Sequence, residues 1–289
     1  MGARFDSFLM VLTTLFLTSS AIAAEVQSVD DATRARCLNI LREGLDAEAF
    51  WPSMHAAEAL TLSGHFQEVI PVLLPRLEDE KDSQHRCGLA RELVRAGHEP
   101  ALNVLWEVLA SEDPHGHGHA CESLLKINRR GDGKLLRHHW KNGDGVIRQL
   151  LAAAALARGG DEAALRSIRK QLVSHDDNVA RIAAWLLSFV GDAADLPLLR
   201  SRLESVGAEN HQIFFHAALA TLGEEQARDE LKQALSSADP QVRVYAAEFC
   251  GTARIKSALP LLTERLADDD LDIRIRAAQA ILLLSPPTR

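Results

Sequence analysis

The residues of this chain best suited to chemistry gather in its first half. His115-Gly116-His117-Gly118-His119 alternates imidazole with glycine. Imidazole nitrogens are good ligands for zinc, copper or nickel, and glycine loosens the backbone enough for three rings to converge. A catalytic zinc takes three protein ligands, so His115, His117 and His119 form the candidate metal set, and a transition metal ion is the cofactor that reading implies. His138-His139 follows, with Trp140 beside it, but no second cluster at a recognised ligand spacing completes a site. The other constellation is ionic: His55 and Glu58, then Arg86, Arg91, Glu92 and Arg95, then His119, Glu122 and Lys126. These make a candidate binding patch for an anion or a peptide. No nucleophile arrangement, phosphate loop or dinucleotide fingerprint accompanies them, and no residue is assigned a catalytic role.

The elements that must position these residues are periodic. Each small-residue stretch has a fourth apolar residue that serves as its marker, and these markers fall at Leu60, Leu93, Leu124, Leu156, Leu187, Leu219, Cys250 and Ile281, a spacing of 31 to 33 residues. A period in this range without strand-like alternation predicts an α-solenoid, whose helix pairs bury their apolar faces only by stacking on neighbours. In that register Glu58, Arg91 and Glu122 occupy one position of three successive helices, with Ala154 next. Stacking then predicts an acid, arginine, acid ladder in which Arg91 serves two carboxylates. Such a ladder reads either as a registry device that fixes which helix lies beside which or as part of a binding site.

Two motifs define the repeat. Asp177-Asn178-Val179-Ala180-Arg181 parallels Asp239-Pro240-Gln241-Val242-Arg243 and Asp270-Leu271-Asp272-Ile273-Arg274, each an acidic cap on a helix that goes on to paired alanines. Pro-x-Leu-x-x-Arg-Leu begins at Pro71, Pro197 and Pro260, where proline suits the first turn of a second helix. On these residues the chain resembles the HEAT repeat family, in particular the short HEAT-like repeats first noted in phycobilin lyases, over roughly residues 48 to 284. The expected fold is all-α: a right-handed α-solenoid of about eight stacked HEAT-like helix pairs. The resemblance implies that first helices line the convex face and second helices the concave one. Deoxyhypusine hydroxylase is similar as a HEAT-like solenoid and holds two irons with adjacent His-Glu pairs. Here His55/Glu58 and His119/Glu122 have His-x-x-Glu spacing and lie two repeats apart, about 20 Å at the usual ~10 Å between packed helices, too far to share a metal.

The remaining expectations concern the ends, the compartment and the partners. Residues 1–23 read as a secretory signal: Arg4, an apolar run from Phe8 to Leu17, and Ala21-Ile22-Ala23 before the cut. That run is short of the roughly 20 residues a membrane span needs, so the mature chain is expected to be exported, periplasmic or extracellular, without a membrane span. Residues 24–47 are expected to form an N-terminal capping helix, 48–284 the solenoid and 285–289 a tail after Pro286-Pro287. A net charge of −8 disfavours nucleic acid as partner. Export raises the question of disulfides; Cys87 and Cys121 are the pair near enough in register to consider, and Cys250 stands where its siblings are Leu and Ile. The second helices are comparatively basic (Arg137, Arg166, Arg169, Lys170, Arg200, Arg202, Arg228, Lys232, Lys256, Arg265). A basic concave groove would suit an acidic peptide or an anionic polysaccharide. Together these readings describe an exported, non-catalytic scaffold for a protein partner, with metal or anion binding at the first three repeats as the alternative.

Overall fold

The computed structural model describes residues 29–286; residues 1–28, which include the segment read as a secretory signal, and the last three residues lie outside the described residues. Sixteen α-helices and no strands occur among them. The first helices of the repeats are α2 (Phe50–Leu62), α4 (Ser83–Arg95), α6 (His117–Lys126), α8 (Val146–Arg158), α10 (Asp177–Val190), α12 (Glu209–Thr221), α14 (Pro240–Thr252) and α16 (Leu271–Leu284). Between them run the second helices α3 (Phe66–Asp79), α5 (Leu102–Ala110), α7 (Lys134–Asn142), α9 (Glu162–Gln171), α11 (Leu196–Leu203), α13 (Glu225–Ala234) and α15 (Leu259–Arg265), and α1 (Asp31–Leu45) precedes them all.

Local chemistry sets the boundaries. Side chains of Asp176, Asp239 and Asp270 accept from backbone amides at the starts of α10, α14 and α16, satisfying groups that the first turn leaves unpaired. In the first of these the cap is Asp176; Asp177 is already helical and pairs with Arg202 instead. First helices end on one recurring turn. The residue four beyond each marker is left-handed in six repeats, at Gly64, Gly97, Asn128, Gly160, Gly223 and Arg254. The amide one residue further on donates back to the marker carbonyl, as in His65 to Leu60 and His98 to Leu93, both 2.8 Å. That is the Schellman closure, which favours glycine because it needs positive φ. Pro197 and Pro260 open α11 and α15 as expected. Pro71 does not open its helix: α3 starts five residues earlier, so Pro71 and Pro75 lie inside it.

The stack is closed. Successive first helices pack on one another from α2 to α16, and α16 then packs on α2, while α1 packs on both. The seam is specific. The Arg34 guanidinium donates to the Ser285 carbonyl, Arg36 Nη2 donates to the Leu266 carbonyl at 3.0 Å, and Arg276 Nη1 donates to Glu58 at 3.0 Å. Cys37, Ile40, Leu41 and Leu45 of α1 are buried. Gly44 allows the close approach: a Cβ there would stand 2.6 Å from Ile275 Cδ1 and 3.0 Å from the Ala56 Cβ.

Two expectations are corrected by this closure. α1 is not a lid on an exposed end; it supplies the second helix that the eighth repeat otherwise lacks. The first helices line the inside and the second helices the outside, the reverse of the convex and concave assignment. Circumference explains the difference. Eight helices about 8–10 Å apart fit a circle of radius about 10–13 Å, and the inner layer must be the one with small contact residues. Ala183, Ala184, Ala246, Ala247, Ala277 and Ala278 on the first helices are all buried. At Gly251 of α14 an added Cβ would meet the Cα of Ala280 at 2.9 Å, so backbones nearly touch there.

Candidate functional site: the central cavity

The cavity enclosed by the first helices has a volume of about 420 Å³ and is lined by His55, Glu122, Lys126, Arg181, Ile182, Trp185, Phe214, Gln241, Val244, Tyr245, Glu248, Phe249, Asp272 and Arg276. Every one of these stands on a first helix. In the repeat register they fall two, five, six and nine residues before the marker, with Phe249 one before it and Lys126 two after it. That is one face of a helix, since residues three and four apart lie above one another.

One wall is ionic. Arg276 joins Glu58 at 3.0 Å to Glu248 at 3.3 Å. Glu58 also meets Arg95 Nη2 at 3.1 Å, Arg95 pairs with Glu92, and Glu92 accepts from Arg91 Nε at 2.6 Å. Lys126 holds Glu122 at 2.9 Å. Burial acts to raise the pKa of Glu58, but the guanidinium groups of Arg95 and Arg276 hold it well below the usual carboxylate range. Burial likewise opposes Lys126 and Arg91 at Glu122, whose pKa falls to about 2. His55 Nδ1 lies 2.7 Å from Asp272 Oδ1 across the closure, yet burial and then Arg276 lower its pKa. The other wall is aromatic. Phe214 and Tyr245 stand 4.7 Å apart, Tyr245 and Phe249 stack at 5.8 Å, and Lys126 lies 5.4 Å from the Trp185 ring.

The sequence-derived patch is only partly assembled. His55, Glu58, Arg91, Glu92, Arg95, Glu122 and Lys126 belong to the cavity wall or to the ion pairs directly behind it. Arg91 makes its close contact with neighbouring Glu92, and Glu58 and Glu122 act on it through space, so the predicted sharing of Arg91 is replaced by a longer chain of pairs. Arg86 is elsewhere, 3.8 Å from the exposed Glu107. The three candidate metal ligands diverge. His115 faces Asp82, with Nε2 and Oδ2 at 3.0 Å. His117 turns inward and donates Nε2–H to the Ser111 carbonyl at 3.0 Å, its ring 4.6 Å from that of His139. His119 stacks on Trp51 at 5.2 Å. Glycine let the helix begin there, and each ring then followed the direction of its own helical position. No group of three or more His, Cys, Asp or Glu side chains suited to a metal occurs among the described residues. The adjacent pair His98-Glu99 lies in the turn after α4, where Glu99 meets Arg129 at 2.8 Å.

Other expectations are displaced by the same geometry. The curvature brings His55 and Glu122 to one cavity, although their repeats are two apart. The basic residues of the second helices face outward, and Arg137, Arg169, Arg200, Arg202 and Arg265 are neutralised by Asp161, Asp195, Glu224, Asp177 and Asp268; they do not line a concave groove. The four cysteines are free and buried, and burial pushes each thiol up to about 12. Sequence reasoning missed Glu248, Asp272, Arg276, Arg181 and the aromatic wall. Glu248 was findable: it stands two before its marker, the position of Glu58, Arg91 and Glu122.

Residues 206–282 match the family model for HEAT repeats. No curated protein matches the sequence. Among solved structures, human deoxyhypusine hydroxylase in complex with glycerol is 18% identical, covering 88% of this chain and 97% of that one, with a TM-score of 0.42. Two engineered proteins are each 14% identical. One covers 90% of this chain and 97% of its own with a TM-score of 0.32, the other 86% and 96% with a TM-score of 0.25. Likenesses at these scores carry no functional argument.

Proposed function

Taking this chain as a HEAT-like repeat protein whose repeats close on themselves, we propose that it is an exported, non-catalytic binding scaffold that receives a segment of a partner protein in its central cavity. The carrying observation is the convergence of side chains from α2, α6, α10, α12, α14 and α16 on one cavity that joins an ionic wall to an aromatic one. Its size is that of a ligand site. The state of its carboxylates favours anchoring over proton transfer. A general acid or base works best with a pKa near the operating pH, whereas Glu58 and Glu122 are held far below it by their cationic neighbours. Most of the outward basic residues are already paired, which favours the first helices over the second as the recognition surface.

A photo-crosslinking side chain placed at Ile182, on the cavity wall, is expected to capture a partner polypeptide. The same group at Val173, exposed in the turn after α9, is expected to capture none. Capture through Val173 alone would overturn the reading. Export is tested separately: mature protein from the envelope or medium should begin at Ala24, and an unprocessed cytoplasmic chain would sink that part of the proposal.

A further inference from the structure

Among the cations lining the cavity, Arg181 differs from the others. Arg276 and Lys126 each hold a carboxylate. Arg181 holds none among the described residues: its Nε donates to Asn178 Oδ1 at 2.8 Å, and its guanidinium lies 4.9 Å from the centroid of the Phe214 ring. Stacking on an aromatic face leaves the planar edge of a guanidinium available, and that edge matches a carboxylate bidentately. Burial lowers the pKa of Arg181, and no carboxylate acts to offset it. Around it stand Ile182, Trp185, Val244 and Phe249, an apolar surface next to a fixed, unanswered positive charge.

We infer that the occupant of this cavity is a carboxylate carried on an apolar body, and that its source is the C-terminal end of a polypeptide whose last side chain is apolar. This rests on the reading of the cavity as the partner site. A chain end fits better than an internal segment, because a volume of about 420 Å³ is that of a small-ligand site and an internal segment would need room to leave as well as to enter. The terminal carboxylate would take the two terminal nitrogens of Arg181, with the Tyr245 hydroxyl beside them. The last side chain would lie against Trp185 and Phe249. The ionic wall opposite is already paired and would offer the preceding peptide group polar contacts without competing for the carboxylate.

The test is calorimetric, with three probes: an eight-residue peptide ending in phenylalanine with a free carboxylate, the same peptide with a C-terminal amide, and N-acetylphenylalanine. The full chain is expected to bind the acid peptide roughly ten- to a hundredfold more tightly than the amide, the range for loss of a charge-assisted bidentate contact. Arg181→Gln, which breaks no ion pair, should erase that preference, and Arg181→Lys should keep part of it. Equal binding of acid and amide, or full discrimination by Arg181→Gln, would overturn the inference. N-acetylphenylalanine binding as tightly as the peptide would overturn its polypeptide source and leave a free organic acid. The crosslinking result separates the two levels. A partner captured through Ile182 without acid preference removes this inference and leaves the cavity reading intact, whereas acid preference without capture removes the protein partner instead.

Discussion

Arg276 is the residue at which electrostatics and closure coincide, since it is 2% exposed and holds Glu58 from the first repeat and Glu248 from the seventh. Removing it leaves the largely buried Glu248 without an ion-pair partner and Glu58 with Arg95 alone. Arg276→Met should therefore destabilise the protein by about 3–5 kcal/mol in urea unfolding, the usual consequence of breaking one side of a buried pair. Arg86→Ala, which loses only a 3.8 Å contact with an exposed glutamate, should change stability by less than about 0.5 kcal/mol. A small loss at Arg276 would mean that water screens the network. The sequence reading selected Arg86 and passed over Arg276. The column of Glu58, Arg91 and Glu122 was legible from register, and extending it past Ala154 reaches Trp185, Ala217, Glu248 and Gln279. The bond from Arg276 to Glu58 was not legible, because it spans 218 residues and no local spacing says that the last helix returns to the first.

At the scale of the element, small residues decide how near two helices come. A Cβ at Gly251 would meet the Ala280 backbone at 2.9 Å, and backbone does not rotate aside. Gly251→Val should thus force α14 from α16 and cost about 1–3 kcal/mol. Gly118, in α6, has only Leu151 Cδ1 at 3.9 Å from an added Cβ, so Gly118→Ala should be stabilising by about 0.5–1 kcal/mol through helix propensity alone. Thermal unfolding of the two variants checks both signs. The helices themselves were readable from caps, periodicity and turn residues. Their sidedness was not, since an alanine-rich face suits a tight inner layer and a close-packed outer one equally until curvature is known. For the same reason α1 was recognisable as amphipathic, while its place between α16 and α2 was set by surfaces far apart in sequence.

For the whole molecule, acid is the informative perturbation. Burial lowers the pKa of His55, His119, His139 and His216, so the unfolded chain takes up protons first as pH falls through about 6.5. Stability present above that pH is then lost toward the folded values. Glu58, Glu122 and Asp272 are also lowered; the stability they contribute is present above their unfolded values of about 4 and lost as pH falls toward the folded ones, about 2 for Glu122. Urea midpoints should decline steadily from pH 7 to pH 4, and a flat profile would contradict the burial of these groups. Closure makes a second prediction. Arg34 lies against Ser285, so joining the two ends by a short flexible linker and opening the chain at Gly159-Gly160 should give a folded circular permutant with one cooperative unfolding transition. Failure to fold would mean that α1 and α16 must be synthesised first and last to find each other.

An open stack of repeats can lengthen or shorten by duplication, because every new unit meets a surface like the one it covers. Here the eighth first helix must arrive at the first with the rotation needed to place Arg276 against Glu58. The rotation per repeat and the number of repeats are therefore locked to a single product, a full turn. Gain or loss of one unit would leave a gap or an overlap at the seam, so the ring fixes its own number of repeats.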